Sequence, residues 1–164
     1  MRATTLTAAA LTAVVATACG SNAYGSQSGV HPAATGAGSS TAQAARGATV
    51  RLAKTSAGRM LVNSHGFTLY MFTSDGRNRD HCVKVSGCTG VWPLLMSRHP
   101  TAGPGVNRHL LGTIRVSGGR QVTYAGHPLY TYVGDSGPGD TGYIGFPQFG
   151  GTWYGVSASG HAVH

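Results

Sequence analysis

The chain has no glutamate, and its only acids are four aspartates among 164 residues. General acid–base chemistry built on a glutamate is therefore excluded, and few carboxylates remain for any other. Long apolar runs are also missing beyond the first eighteen residues, and no segment sustains a 3.6-residue apolar period. That argues against a transmembrane helix in the body of the chain and against a helical fold. No Gly-x-Ser-x-Gly elbow occurs. Ser64-His65-Gly66 is like the Ser-His-Gly that precedes the cysteine nucleophile of L,D-transpeptidases, but the next residue is Phe67. No Cys-x-x-Cys pair occurs, and His81, His99 and His109 stand at no zinc-binding spacing. His65 and His127 are not at matching positions either, so they form no symmetric ligand pair.

What the sequence does contain is a repeat. Gly66-Phe67-Thr68-Leu69-Tyr70-Met71-Phe72-Thr73-Ser74-Asp75 returns as Gly126-His127-Pro128-Leu129-Tyr130-Thr131-Tyr132-Val133-Gly134-Asp135. Both read Gly-x-x-Leu-Tyr-x-aromatic-x-x-Asp. A second Asp follows five residues on, Asp80 and Asp140, so all four acids fall at equivalent places. Gly90-Val91-Trp92 matches Gly151-Thr152-Trp153, and Gly58-Arg59 matches Gly119-Arg120. Two copies are too few for an open solenoid, so a pair closed around one core is expected. Candidate strands are Thr49–Ala53, Met60–Asn63, Thr68–Thr73, Leu110–Val116, Gln121–Tyr124, Leu129–Val133 and Thr152–Ser157. Asn63-Ser64-His65-Gly66 and Tyr124-Ala125-Gly126 suit hairpin turns. Leu69 and Met71 should face one way and Tyr70 and Phe72 the other, with both faces covered. Residues 136–151 read as one long irregular loop.

With Cys88 and Trp92-Pro93, these residues resemble a family of bacterial secreted lipoproteins, the secreted repeat of unknown function. Its hallmark is a tandem Tyr-x4-Asp motif, here Tyr70–Asp75 and Tyr130–Asp135. The resemblance implies export and an envelope location. It implies no catalytic residue.

The start agrees with export. Met1-Arg2 and the apolar stretch to Ala18 read as a signal peptide over residues 1–18. Cys19 then follows Ala16-Thr17-Ala18 in the manner of a lipobox, although Ala16 stands where Leu is usual. Lipidation of Cys19 and simple secretion after an Ala-x-Ala site are the two readings. Residues 19–47 are Gly-, Ala- and Ser-rich and read as a tether spanning about 30 Å. A single compact all-β domain, sandwich- or barrel-like, is expected over 48–158, its repeats spanning about 48–100 and 108–158.

Cys82 and Cys88 remain in an oxidising compartment and are expected to form a disulfide. Asp75, Asp80, Asp135 and Asp140 either accept backbone N–H groups in turns or offer oxygens to a cation such as Ca²⁺. The formal net charge of +8 favours an anionic wall or envelope component. Nucleic acid is not expected of an exported chain with no recognised motif for it. The expectation is an envelope protein held to the membrane by an N-terminal lipid, with no enzymatic activity and no cofactor, serving as a binding or structural module. The alternatives are a redox or metal-handling protein using Cys82, Cys88 and nearby histidines, and a hydrolase.

Overall fold

Short strands separated by glycine turns make up nearly all of the regular structure. A computed structural model describes residues 47–164; the expected leader, Cys19 and nearly all of the tether lie outside them. In the first repeat come β1 (Thr49–Thr55), β2 (Gly58–Val62), β3 (Tyr70–Phe72) and β4 (Thr101–Ala102). A four-residue helix, α1 (Cys88–Val91), and a 3-10 turn at Cys82–Lys84 lie between β3 and β4. In the second come β5 (Leu111–Val116), β6 (Gly119–Tyr124), β7 (His127–Pro128), β8 (Phe146–Gln148), β9 (Gly151–Val156) and β10 (Ala162–Val163).

Each repeat opens with an antiparallel hairpin, β1–β2 and β5–β6. Each hairpin then turns through the motif glycine. Gly66 (φ 90°) and Gly126 (φ 86°) occupy the left-handed region that a side chain resists. Ala125 also has positive φ, so Ala125-Gly126 forms the tight turn that leaves Tyr124 opposite His127.

The two repeats meet at Tyr70 and Tyr130. The Tyr70 N–H donates to the Tyr130 carbonyl at 2.9 Å, and the Tyr130 N–H donates to the Tyr70 carbonyl at 3.0 Å. This is the hydrogen-bonded pair of an antiparallel ladder. Because the residues are equivalent, a local two-fold axis passes between them. On the far side of β3 lies β9, with Tyr70 opposite Gly155 and Phe72 opposite Trp153. On the far side of Tyr130 lies the stretch after Trp92, with Leu94 opposite Tyr130. The end of each repeat is therefore laid against the tyrosine strand of the other.

Side-chain alternation along the central strands separates two cores. Leu69, Met71 and Leu129 join Val50, Leu61, Val122, Tyr124 and Val156 in an aliphatic core. Tyr70, Phe72 and Tyr130 join Trp92, Trp153, Cys82 and Cys88 in an aromatic one. All three residues of β3 are buried, as expected of a strand covered on both faces.

Three expectations are corrected. The strand expected at Leu129–Val133 is reduced to isolated bridges. Thr131 and Val133 donate to the Pro93 and Val91 carbonyls, but Pro93 has no N–H to return to Thr131. The loop expected at 136–151 contains β8, which folds back on β9 through Phe149 and Gly150, both at positive φ. The domain does not end at residue 158, because β10 pairs with β9 and the His164 ring lies 4.5 Å from that of Tyr154.

Candidate functional site

The motif residues converge on the axis and cross it. The Tyr70 hydroxyl donates to Asp135 Oδ1 at 3.1 Å, and the Tyr130 hydroxyl donates to Asp75 Oδ2 at 2.8 Å. Each tyrosine thus binds the aspartate of the other repeat, not the one five residues along its own chain. The motif glycines cross as well. Asn78 N–H donates to the Gly126 carbonyl at 2.7 Å, and Gly139 N–H donates to the Gly66 carbonyl at 2.9 Å.

Aromatic rings extend the same symmetry. Trp92 and Trp153 stack face to face, 3.8 Å between centroids and 2° between planes. Phe72 covers Trp153 at 4.2 Å, and its equivalent Tyr132 covers Trp92 at 4.5 Å. Tyr70 meets Trp92 edge-on at 5.2 Å, and Tyr130 meets Trp153 edge-on at 5.1 Å. The symmetry stops at the indole nitrogens. Trp92 Nε1 donates to Gln148 Oε1 at 2.8 Å, whereas Trp153 Nε1 has no protein partner.

Electrostatics follow from burial. Burial raises the Tyr70 and Tyr130 phenols far above their ordinary range, and the facing carboxylates push them further up. Both therefore stay protonated and remain donors. Burial also pushes Asp75 and Asp135 up to about 6, although each accepts a phenol that pulls the other way. Asp75 Oδ1 also accepts the His81 N–H at 2.6 Å. Asp80 Oδ1 accepts the Val83 N–H at 2.9 Å and so starts the Cys82–Lys84 turn. Asp140 is held below the usual carboxylate range by the Ser136 N–H, the Ser136 hydroxyl and the Gly142 N–H. The second aspartates are thus not equivalent in use: Asp80 reaches forward along the chain, and Asp140 reaches back to Ser136 as well. What the sequence did not reveal is the phenol–carboxylate exchange between copies.

Cys82 and Cys88 form the expected disulfide, with Cα atoms 5.5 Å apart. Both are fully buried beneath the aromatic stack. Cys88 begins α1, a helix start that the sequence reading did not anticipate. Among the described residues, no three His, Cys or Asp side chains form a group that could hold a metal ion. His65, His81, His99, His109 and His161 are exposed. Half-buried His127 is held below its ordinary value by burial and then by Arg77.

Charge is distributed unevenly between inside and outside. No aspartate is exposed, whereas every Lys and Arg from residue 47 onward is exposed except Arg51 and Arg120, which are half-buried. Two hairpins place like charges directly opposite each other, Lys54 against Arg59 and Arg115 against Arg120. These are equivalent positions of the two repeats. Aligning the copies on Gly58-Arg59 and Gly119-Arg120 sets Lys54 and Arg115 at the same position of the two hairpins.

Residues 51–96 and 113–157 match the family model described as a secreted repeat of unknown function. The chain belongs to this family and carries the repeat twice. No curated protein and no solved structure matches it. Among the described residues, no helix is long and apolar enough to cross a membrane.

Proposed function

We propose that this member of the secreted-repeat family is a non-enzymatic binding module of the cell envelope, tethered by lipid at Cys19, that engages an anionic component through its cationic exterior. One observation carries this reading. Every acid is drawn into the interior or into a turn while nearly all described cations face solvent. Such a surface keeps most of its attraction for polyanions, because only the partly exposed Asp75 and Asp140, both tied up in hydrogen bonds, stand against the exposed cations. The chemistry that a hydrolase would need is turned inward. Tyr70 and Tyr130 have no exposed surface, and their hydroxyls are committed to Asp135 and Asp75. A redox role suits a buried disulfide poorly, since exchange needs an accessible sulfur.

The test uses the full chain with isolated cell envelope. Binding should be strong at low ionic strength and lost by about 0.5 M salt, where screening shortens electrostatic reach to a few ångströms. Cys19→Ser should leave this binding intact and release the protein from the membrane to the medium. Equal release of both forms would end the lipid anchor, and salt-insensitive or absent envelope binding would end the anionic partner.

A further inference from the structure

The hairpins that open the two repeats differ along one edge. On β1 the outer edge is covered by β4, which runs parallel to it. The Thr101 and Gly103 N–H groups donate to the Ala48 and Val50 carbonyls at 3.0 and 2.7 Å, and the Leu52 N–H donates to the Pro104 carbonyl at 3.0 Å. On β5 the corresponding edge has no such cover. Val122, which faces Thr113, donates its N–H to the Leu95 carbonyl and accepts the Leu129 N–H. Thr113 is therefore a non-hydrogen-bonded position of the β5–β6 ladder, and its backbone points outward, as do those of Leu111 and Arg115 on either side. Among the described residues no backbone group pairs with this edge, and the Thr113 carbonyl receives only the Arg120 Nη2 at 3.4 Å. A six-residue edge strand with Leu111, Ile114 and Val116 half-buried is a template for one more strand.

The duplication says what belongs there. β4 ends the first copy and leads into the second, so two other segments of the chain stand at its position in the repeat. One ends the second copy; it is β10, which is taken up by β9. The other precedes the first copy. Aligning the hairpins on Gly58 and Gly119 sets Thr101, Ala102 and Gly103 against Ser40, Thr41 and Ala42. Shifted by a single position, Thr41-Ala42 repeats Thr101-Ala102. The space for side chains agrees. A Cβ at Gly103 would meet the Arg51 Cβ at 3.1 Å, its nearest contact. On β5 the residue in the place of Arg51 is Gly112, so a strand laid there can carry a side chain at that point, as Ala42 or Gln43 does.

We propose that residues 40–43, the segment before the first repeat, form a strand parallel to β5 in the place that β4 holds on β1. The lead-in to each copy then covers the first strand of the other, and the two-fold relation extends to both outer edges. The chain's own segment is favoured over that of a second copy for two reasons. It is joined to β1 by a short connection, which gives it a high effective concentration at this edge. Two copies would also bring together chains that each carry a formal net charge of +8. The docked strand shortens the tether, because only the residues before it stay free to reach the membrane. Being parallel to β5, it sends the tether out at the Leu111 end, where Arg108 and His109 are exposed. None of this depends on the anionic partner proposed above.

The experiment is amide hydrogen exchange on the full chain in detergent, read at Thr113. Leu52, whose N–H is held by the Pro104 carbonyl on the equivalent edge, is the internal control. Thr113 should be protected as Leu52 is. Thr41→Pro/Ala42→Pro removes two N–H groups from the proposed strand, so it should speed exchange at Thr113 by about tenfold and leave Leu52 unchanged. Thr35→Pro/Gly36→Pro, upstream of the strand, should change neither amide. Equal exchange at Thr113 in all three chains would overturn the proposal, whether the amide is open in each or held by another group. Protection that is lost on dilution, in a protein that sediments as a dimer, would also overturn it and assign the edge to a second copy. Neither outcome touches the exposed cations, so envelope binding by the surface is tested separately.

Discussion

At the scale of single residues, the spacing Tyr-x4-Asp suggests a local contact within one repeat, yet the hydroxyl of each tyrosine lies on the carboxylate of the other copy. A double-mutant cycle reads this directly. Tyr70→Phe should couple to Asp135→Asn, and Tyr130→Phe to Asp75→Asn, by about 1 kcal/mol or more, as expected of buried hydrogen bonds to charged groups. Tyr70→Phe with Asp75→Asn should be nearly additive; strong coupling within one motif copy would contradict the exchange. The same carboxylates set a pH dependence. Asp75 and Asp135 titrate near 6 when folded and at about 3.8 when unfolded. The folded chain therefore holds more protons between those values, and their contribution to stability falls as pH rises through about 4 to 6. His127 acts oppositely, since its lowered folded value makes the unfolded chain the better proton binder. Comparing melting temperatures of the wild type and the Asp75→Asn/Asp135→Asn variant, which keeps His127, isolates the carboxylates. The wild type should gain relative to the variant as pH falls from 7 to 4, and parallel profiles would show that the aspartates do not titrate there. The acids were legible in the sequence as equivalent pairs, but a repeat cannot say which copy supplies the partner.

Among the elements, those that carry their own pattern were the most legible. Leu69-Tyr70-Met71-Phe72 alternates between the two cores as its sequence demands, and the Tyr124-Ala125-Gly126 turn carries the residues its positive φ values need. β4, β8 and β10 are two or three residues long and exist because a neighbour completes their ladder, so no local pattern marks them. The element between β3 and β4 depends on a covalent link. Cys82 ends up beside Cys88 because the 3-10 turn and α1 reverse the chain over six residues, and the bond closes beneath Trp92. Closing so small a ring contributes about 2.4 kcal/mol in the chain-entropy model. Replacing both cysteines by alanine should lower the unfolding free energy by about that amount plus a cavity cost, measured by denaturant titration, with the Trp92–Trp153 stack retained. An unchanged midpoint would mean that this segment is already ordered without the bond.

On the scale of the whole molecule, the exchanges add up to an interlock. β9 of the second repeat completes β3 of the first, and residues 93–96 of the first complete the Tyr130 strand of the second. The Trp92–Trp153 stack, both phenol–carboxylate bonds and both loop contacts to the motif glycines all join one copy to the other. Separating the copies would expose two tryptophans and strand each buried carboxylate without its phenol, at about 1–3 kcal/mol for every such group. Neither half is then expected to fold alone, for each keeps only short two- and three-stranded ladders, β2–β1–β4 in the first and β5–β6–β7 and β8–β9–β10 in the second, whose buried face is supplied by the other copy. The connection between copies runs from β4 through residues 103–107, where Gly105 and Asn107 are exposed, so the chain can be divided there without cutting a strand. Made separately, residues 47–105 and 106–164 should each show no cooperative unfolding. Mixed, they should associate one to one and recover the near-ultraviolet circular dichroism of the stacked indoles. Tyr130→Phe in one fragment or Asp75→Asn in the other should weaken the association, because that bond spans the two pieces. A fragment that folds cooperatively by itself would mean that the repeats are independent units in contact, and that the exchanged aspartates orient them without holding them together.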